Sequence, residues 1–260
     1  DLPIDGDDPP PSGPDVSHLV TEDDEPFDNI LSEKQQRRLT EPLYSSLSGP
    51  PPEEDGAPRP FAALANVGLF TKPENSPVVP DVMLSIDVEI DADLSKKENR
   101  SYFLWRHGKP PDVVIEIVSN DEGDELGIRF QRYRRARVAY YVVYDPLHCL
   151  REATLRVFQL SGDLYQRIDA ARFESLGLAL REWHGTFENH TDTWLRWCTL
   201  DGELVPTGAE RAEDAEKRAR DADKRAAEER LRAEDADKRA TEERLRAEDA
   251  DKRATEERLR

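Results

Sequence analysis

Two carboxylates set into apolar runs are the residues of this chain whose type and spacing could do chemistry. The run Val113-Val114-Ile115-Glu116-Ile117-Val118 is β-branched at every position but one, and the exception is Glu116. An ionised Glu in a buried strand costs several kcal/mol unless something pairs with it. A metal ion, a basic side chain or a proton must therefore compensate Glu116, or the strand is exposed at that point. Upstream, Pro80-Asp81-Val82-Met83-Leu84-Ser85-Ile86 puts a second carboxylate at the head of another apolar run. Delivered by neighbouring strands, Asp81 and Glu116 could hold a divalent cation through oxygen ligands. Other chemistries have less support. The five histidines show no metal-ligand spacing, Ser119-Asn120 has no recognisable base to activate the serine, and there is no Gly-rich phosphate loop.

The elements that must position these carboxylates are legible around them. Between Glu116 and the next apolar run lies Gly127 to Arg137, whose helical spacing puts Ile128, Phe130 and Tyr133 on or near one face. Arg129, Arg132, Arg134, Arg135 and Arg137 surround that face, as a solvated helix surface or as a phosphate-binding one. Val138 to Tyr144 is the next strand, so strand, helix and strand suggest a parallel crossover. Before it, the runs Phe61–Phe70 and Pro80–Glu89 read as strands, and Ser101 to Trp105 as a short aromatic strand. Ser32 opens a capping signal for a helix with Leu39, Leu43 and Leu47 on one face, interrupted by Pro42. Residues 154–167 read as a hairpin turning at Ser161-Gly162-Asp163, and Leu178–Trp183 and Thr193–Cys198 close the apolar part.

Several of these pieces resemble the Uma2 family of restriction-endonuclease-like proteins, a bacterial branch of the PD-(D/E)xK nuclease superfamily. They are VVPDVML, PPDVVIEIVSND, RFQRYRRARVAYYVVYDP, WLRW and DGELVPTG, and they span about residues 32 to 208 in the family's order. The resemblance implies an α/β fold, a PD-(D/E)xK nuclease-like mixed sheet flanked by helices. It also implies a DNA-cleaving activity that depends on Mg²⁺ or Mn²⁺. Asp81 matches the Asp of the PD motif and Glu116 the (D/E), so both are implied as metal ligands and catalytic residues. The position two after Glu116 is Val118. In proteins of this kind the Lys is supplied instead by the following helix, four residues before a Tyr, which here is Tyr133. The matching position is Arg129. Arg keeps the charge and can hold phosphate, but it stays protonated and does not readily serve as a base. The same residues would look like a Glu116–Arg129 ion pair in a catalytically silent relative acting as an interaction module through its tail.

Composition bounds the rest. The chain is 36% charged with a mean hydropathy of −0.80, so the apolar residues must be concentrated. Residues 1–30 hold ten acidic residues, no Lys or Arg and six prolines, the composition of a disordered acidic arm. Residues 209–260 hold eighteen acidic and sixteen basic residues. Of the total net charge of −19, −7 is then left on residues 31–208, the nuclease-like domain, which also carries all four Trp. This acidic balance argues against a non-specific nucleic-acid binder but not against a nuclease whose acidic site meets phosphate through metal. Two cysteines without a motif fit a reducing cytoplasm. No apolar stretch approaches a membrane span, and no basic region precedes an apolar one, so neither membrane insertion nor secretion is expected.

The tail repeats every fourteen residues: RLRAEDADKRATEE at 230–243 recurs unchanged at 244–257. Its charges pair acid-before-base four apart, as in Glu234 with Lys238, Asp235 with Arg239, Glu248 with Lys252 and Asp249 with Arg253, each worth a few tenths of a kcal/mol. That predicts a charged helix held by local pairing. Leu231, Leu245 and Leu259 offer a weak stripe for self-association, which the nuclease-like domain could equally provide.

Overall fold

The computed structural model describes residues 29–46, 59–72, 76–96, 99–119 and 125–258. The acidic arm, apart from Asn29 and Ile30, lies outside the described residues. The chain forms two compact units, Asp1–Thr207 and Gly208–Arg260.

The first unit is built on a six-stranded mixed sheet. In sheet order its strands are β1 (Phe61–Ala65), β3 (Val82–Ile86), β5 (Val113–Ile117), β6 (Tyr140–Tyr144), β7 (Leu155–Ser161) and β8 (Leu164–Ile168). Only β5 and β6 run parallel, because α3 (Ile128–Arg135) carries the chain between them, and every other pairing is antiparallel. Two short strands, β2 (Leu69–Phe70) and β4 (Tyr102–Phe103), pair in parallel beside this sheet. The aromatic stretch expected as one strand stops at Phe103, and Leu104–His107 forms a single helical turn, α2, closed by Gly108 at φ 76°. Gly serves there because a left-handed C-terminus costs it nothing sterically.

Alternation along the strands makes two cores. Odd positions of β5 (Val113, Ile115, Ile117) join even positions of β3 and β6 and Leu39 and Leu43 of the first helix on one face. Met83, Val114, Tyr133, Tyr141 and Val143 fill the other face under α3. Buried on both faces, β3, β5 and β6 read as continuous apolar runs, the pattern of central strands.

α1 (Ile30–Ser46) begins two residues earlier than its Ser32 signal suggested. The Asn29 side chain accepts the Ser32 N–H at 2.9 Å and caps the helix from there. Pro42 sits inside the helix without ending it, and Leu47 falls outside the described residues. α1 docks on a second sheet, β9 (Arg172–Phe173), β10 (Leu178–Phe187) and β11 (His190–Thr199). Gln35 exchanges hydrogen bonds with the Leu195 backbone at 2.8 and 3.0 Å, and Trp197 Nε1 donates to the Leu39 carbonyl at 2.8 Å. The β10–β11 hairpin runs past both expected ends and turns at Glu188-Asn189, each with positive φ, as a tight two-residue hairpin turn requires.

The second unit is one helix, α4 (Gly208–Arg258), exposed throughout its described length from Arg211. Its charge pairs are not all those the sequence suggested. Arg220 reaches back to Glu216, and Glu248 turns to Arg244 rather than to Lys252. Such exposed pairs each contribute little.

Candidate active site

The register of β3 against β5 pairs Val82 with Ile115, Met83 with Val114 and Leu84 with Val113. The ladder ends at Val82, and its register continued by one step would put Asp81, the residue before β3, opposite Glu116, to which its side chain hydrogen-bonds. Both then project to the α3 face, as Met83 and Val114 do. Asp81 is fixed there by its own carboxylate, since its Oδ2 accepts the Ile117 N–H at 2.5 Å. The head of β3 is thus tied to the end of β5 at the point where the two carboxylates meet.

Glu116 is 1% exposed, and α3 supplies its compensation. Arg129 Nη1 donates to Glu116 Oε2 at 2.9 Å, and the Tyr133 hydroxyl donates to Oε1 at 2.5 Å. The four-residue spacing of Arg129 and Tyr133 puts both on one helix face, so a single turn of α3 clamps both oxygens. Of the compensations open to Glu116, the structure therefore shows a basic side chain assisted by a phenol. Arg129 is 32% exposed on its side chain, so the pair is asymmetric: a sealed carboxylate and a half-open guanidinium.

The electrostatics of the pair pull in two directions. Burial pushes the Glu116 carboxyl above its ordinary range and outweighs the opposing pull of Arg129 and of the Tyr133 hydroxyl. Arg129 in turn is held more firmly protonated, chiefly by Glu116 and further by Asp81 and Glu125. The guanidinium and a proton compete for one buried carboxylate. Tyr133 and Tyr141 are both pushed far up by burial, with Glu116 adding to the shift, so they act here as neutral donors.

Two participants have no signal in the sequence, and a third, Tyr133, is marked there only as the Tyr four residues after Arg129. It proves to hold Glu116. Tyr141 donates to the Glu125 carbonyl at 2.7 Å, and Glu125, itself 9% exposed, adds negative charge at the site. Only the i, i+4 relation of Tyr133 to Arg129 could have revealed its hold on Glu116. The remaining arginines of α3, and Arg137 just after it, divide. Arg132 donates to the Ser76 carbonyl, Arg134 to the Asp163 carbonyl and Arg137 to the Asp163 carboxylate, tying the helix to its surroundings, while Arg135 is exposed. Ile128, expected on the apolar face, is 66% exposed instead.

A divalent metal is the group a nuclease site would call for. Mg²⁺ characteristically takes one or two protein carboxylates and completes its shell with water and substrate phosphate, so Asp81 and Glu116 suit it in number and in donor type. Glu116 already holds one cation, Arg129, whose place a metal would take. Among the described residues no three His, Cys, Asp or Glu side chains gather into a fuller metal cluster.

A mixed sheet whose antiparallel neighbours deliver an Asp and a Glu to one point, with a cationic helix residue over them, has the architecture of a nuclease-like α/β domain. The chain belongs to the Uma2 family, whose model, described as a putative restriction endonuclease, matches residues 30–188. No curated protein matches the chain. The family match stops before β11, so the Trp194–Trp197 and Asp201–Gly208 segments that resembled the family lie beyond it. β11 nonetheless pairs with β10 along its whole length.

Proposed function

We propose that residues 31–208 form a metal-dependent endonuclease that hydrolyses DNA phosphodiester bonds, with Asp81 and Glu116 holding Mg²⁺ or Mn²⁺ and Arg129 in the usual place of Lys. The observation that carries this reading is the Asp81 carboxyl beside Glu116 at the head of β3, held by the Ile117 N–H, with the Arg129 guanidinium on Glu116. A bound divalent metal would lower the pKa of the attacking water and neutralise charge on the phosphate. Ile117 N–H and Tyr133 OH orient the two carboxylates, each through one hydrogen bond. Arg129, permanently charged and forked, suits a non-bridging phosphate oxygen better than it suits proton transfer. Hydrolysis would form a bond from the water oxygen to phosphorus, break the bond to the leaving deoxyribose oxygen and leave that oxygen protonated from solvent; with Arg129 unable to take a proton, the attacking water, lowered in pKa by the metal, would give its proton to bulk water. The reading includes a cytoplasmic setting, in keeping with the two free cysteines, Cys149 and Cys198. Among the described residues no helix is long and apolar enough to cross a membrane.

A second reading rests on the same contact. A Glu116 sealed by Arg129 and Tyr133 is also what a silent member would keep as a structural ion pair, with α4 left to mediate interaction or self-association. Cleavage of supercoiled plasmid DNA separates the two. The endonuclease reading expects nicking by the wild type with Mn²⁺, none with EDTA, loss in Glu116→Gln and a gain in Arg129→Lys. Absence of cleavage in both the wild type and Arg129→Lys supports the silent reading.

A further inference from the structure

We propose that Arg129 is a built-in competitor for the divalent cation, occupying the cation's place on Glu116 until a phosphate draws it off. The site then takes up metal together with its phosphodiester substrate rather than before it. This rests on the metal-dependent reading above and concerns how that site is loaded.

The geometry carries the argument in three steps. The oxygen that Arg129 holds, Glu116 Oε2 at 2.9 Å, is the one Glu116 oxygen not already taken by Tyr133. An incoming cation therefore meets a carboxylate with both oxygens engaged and no exposed face, since Glu116 is 1% exposed. The competitor also cannot be removed by deprotonation: a Lys in its place could become neutral, whereas a guanidinium keeps its charge throughout the working pH range. Finally, Arg129 has somewhere to go. Its side chain is 32% exposed, and its hydrogen bond to Glu116 uses one guanidinium nitrogen, which leaves donors able to grip a phosphate in a two-pronged contact. Tyr133 would keep hold of Oε1 while Arg129 leaves, so the carboxylate stays oriented as Oε2 becomes free.

The coupling is reciprocal by necessity: if the duplex strengthens metal binding, metal strengthens duplex binding by the same factor. Calorimetric titration of Mn²⁺ into the full chain, alone and with a DNA duplex made uncleavable by methylenephosphonate linkages, in which CH2 replaces the leaving bridging oxygen, measures that factor, for the wild type and for Arg129→Gln. The proposal expects Arg129→Gln alone to bind Mn²⁺ roughly tenfold more tightly than the wild type alone. It expects the duplex to strengthen Mn²⁺ binding in the wild type by a factor roughly tenfold larger than in Arg129→Gln. Equal Mn²⁺ affinity in the two free proteins, or equal coupling to the duplex, overturns the competitor role while leaving the metal site standing. No Mn²⁺ uptake by either protein, with or without duplex, overturns the endonuclease reading and the competitor with it. The comparison of wild type with and without duplex needs no variant, so a failure of Arg129→Gln to fold still leaves one arm: duplex-independent Mn²⁺ affinity in the wild type refutes the proposal.

Discussion

Replacing Arg129 with Met should destabilise the protein by an amount that depends on pH, and the dependence exposes what the ion pair does. The substitution keeps most of the stem and removes the charge, leaving Glu116 with the Tyr133 hydroxyl and the neighbouring Asp81 carboxyl but no cation, in a site where it is 1% exposed. Stranding one member of a buried ion pair costs about 3–5 kcal/mol, and the lower end applies here because Arg129 is itself part-exposed. Glu116 can escape the cost by taking up a proton. Its carboxyl already lies above the ordinary value through burial, and without Arg129 it rises further. A carboxyl whose folded pKa exceeds its unfolded one binds more protons when folded. Its contribution is therefore fully present below the unfolded pKa and is lost as pH rises toward the folded one. The loss accrues at about 1.4 kcal/mol per pH unit across that window. In metal-free buffer, Arg129→Met should thus lie close to wild type near pH 4.5 and fall about 3 kcal/mol below it by pH 8. That corresponds to a melting temperature lower by roughly 6–12 °C for a domain of this size. Chemical denaturation at a series of pH values reads it directly. A deficit that is the same at every pH would mean that Glu116 does not titrate against Arg129, and the electrostatic account of the site would be wrong.

Three further expectations follow from other contacts. Tyr133→Phe removes the donor to Glu116 Oε1 and should cost about 2 kcal/mol in urea unfolding at neutral pH, as for hydrogen bonds to charged groups; a neutral effect would show that Arg129 alone holds the carboxylate. Gly185→Ala would put a Cβ 2.1 Å from the Trp183 indole, which is stacked 4.7 Å from both Arg38 and Arg196; about 1–3 kcal/mol should be lost, and an unchanged melting temperature would show that the indole moves aside freely. The isolated tail, residues 209–260, should be helical by circular dichroism, with helicity that falls as salt rises and does not change with concentration, whereas a concentration-dependent dimer would show that the Leu231 and Leu245 stripe associates.

How much of this was legible in the sequence depended on whether a feature was local. Asp81 and Glu116 stood out because each is a carboxylate in an apolar run, and the crossover through α3 followed from two such runs around an amphipathic segment. Their closeness follows from the β3–β5 register continued one step past Val82, and register is set by the whole ladder rather than by either strand's composition. The Glu116–Arg129 pair was legible by residue, as the ion pair that would compensate a buried charge, beside the metal and the proton. Tyr141 and Glu125 were not legible, since an aromatic in a strand and an acid in a loop are ordinary until the fold brings them together. The second sheet is less legible for a related reason. Most positions of β10 after Leu180 are exposed or half-exposed, so its length comes from ladder bonds to β11 and not from apolar content. At α1 the Ser32 signal was real but outcompeted, because Asn29 caps three residues earlier and Pro42, buried on the helix, does not end it.

The central claim is that Asp81 and Glu116 form a metal site that works on phosphate, and locating the metal tests it most directly. Crystals of the protein with Mn²⁺ and an uncleavable duplex, measured at a wavelength where Mn²⁺ scatters anomalously, should show a peak between the Asp81 and Glu116 carboxylates, with Arg129 turned from Glu116 to a phosphate oxygen. A map with duplex bound, no peak at that position and Arg129 still on Glu116 would contradict the account.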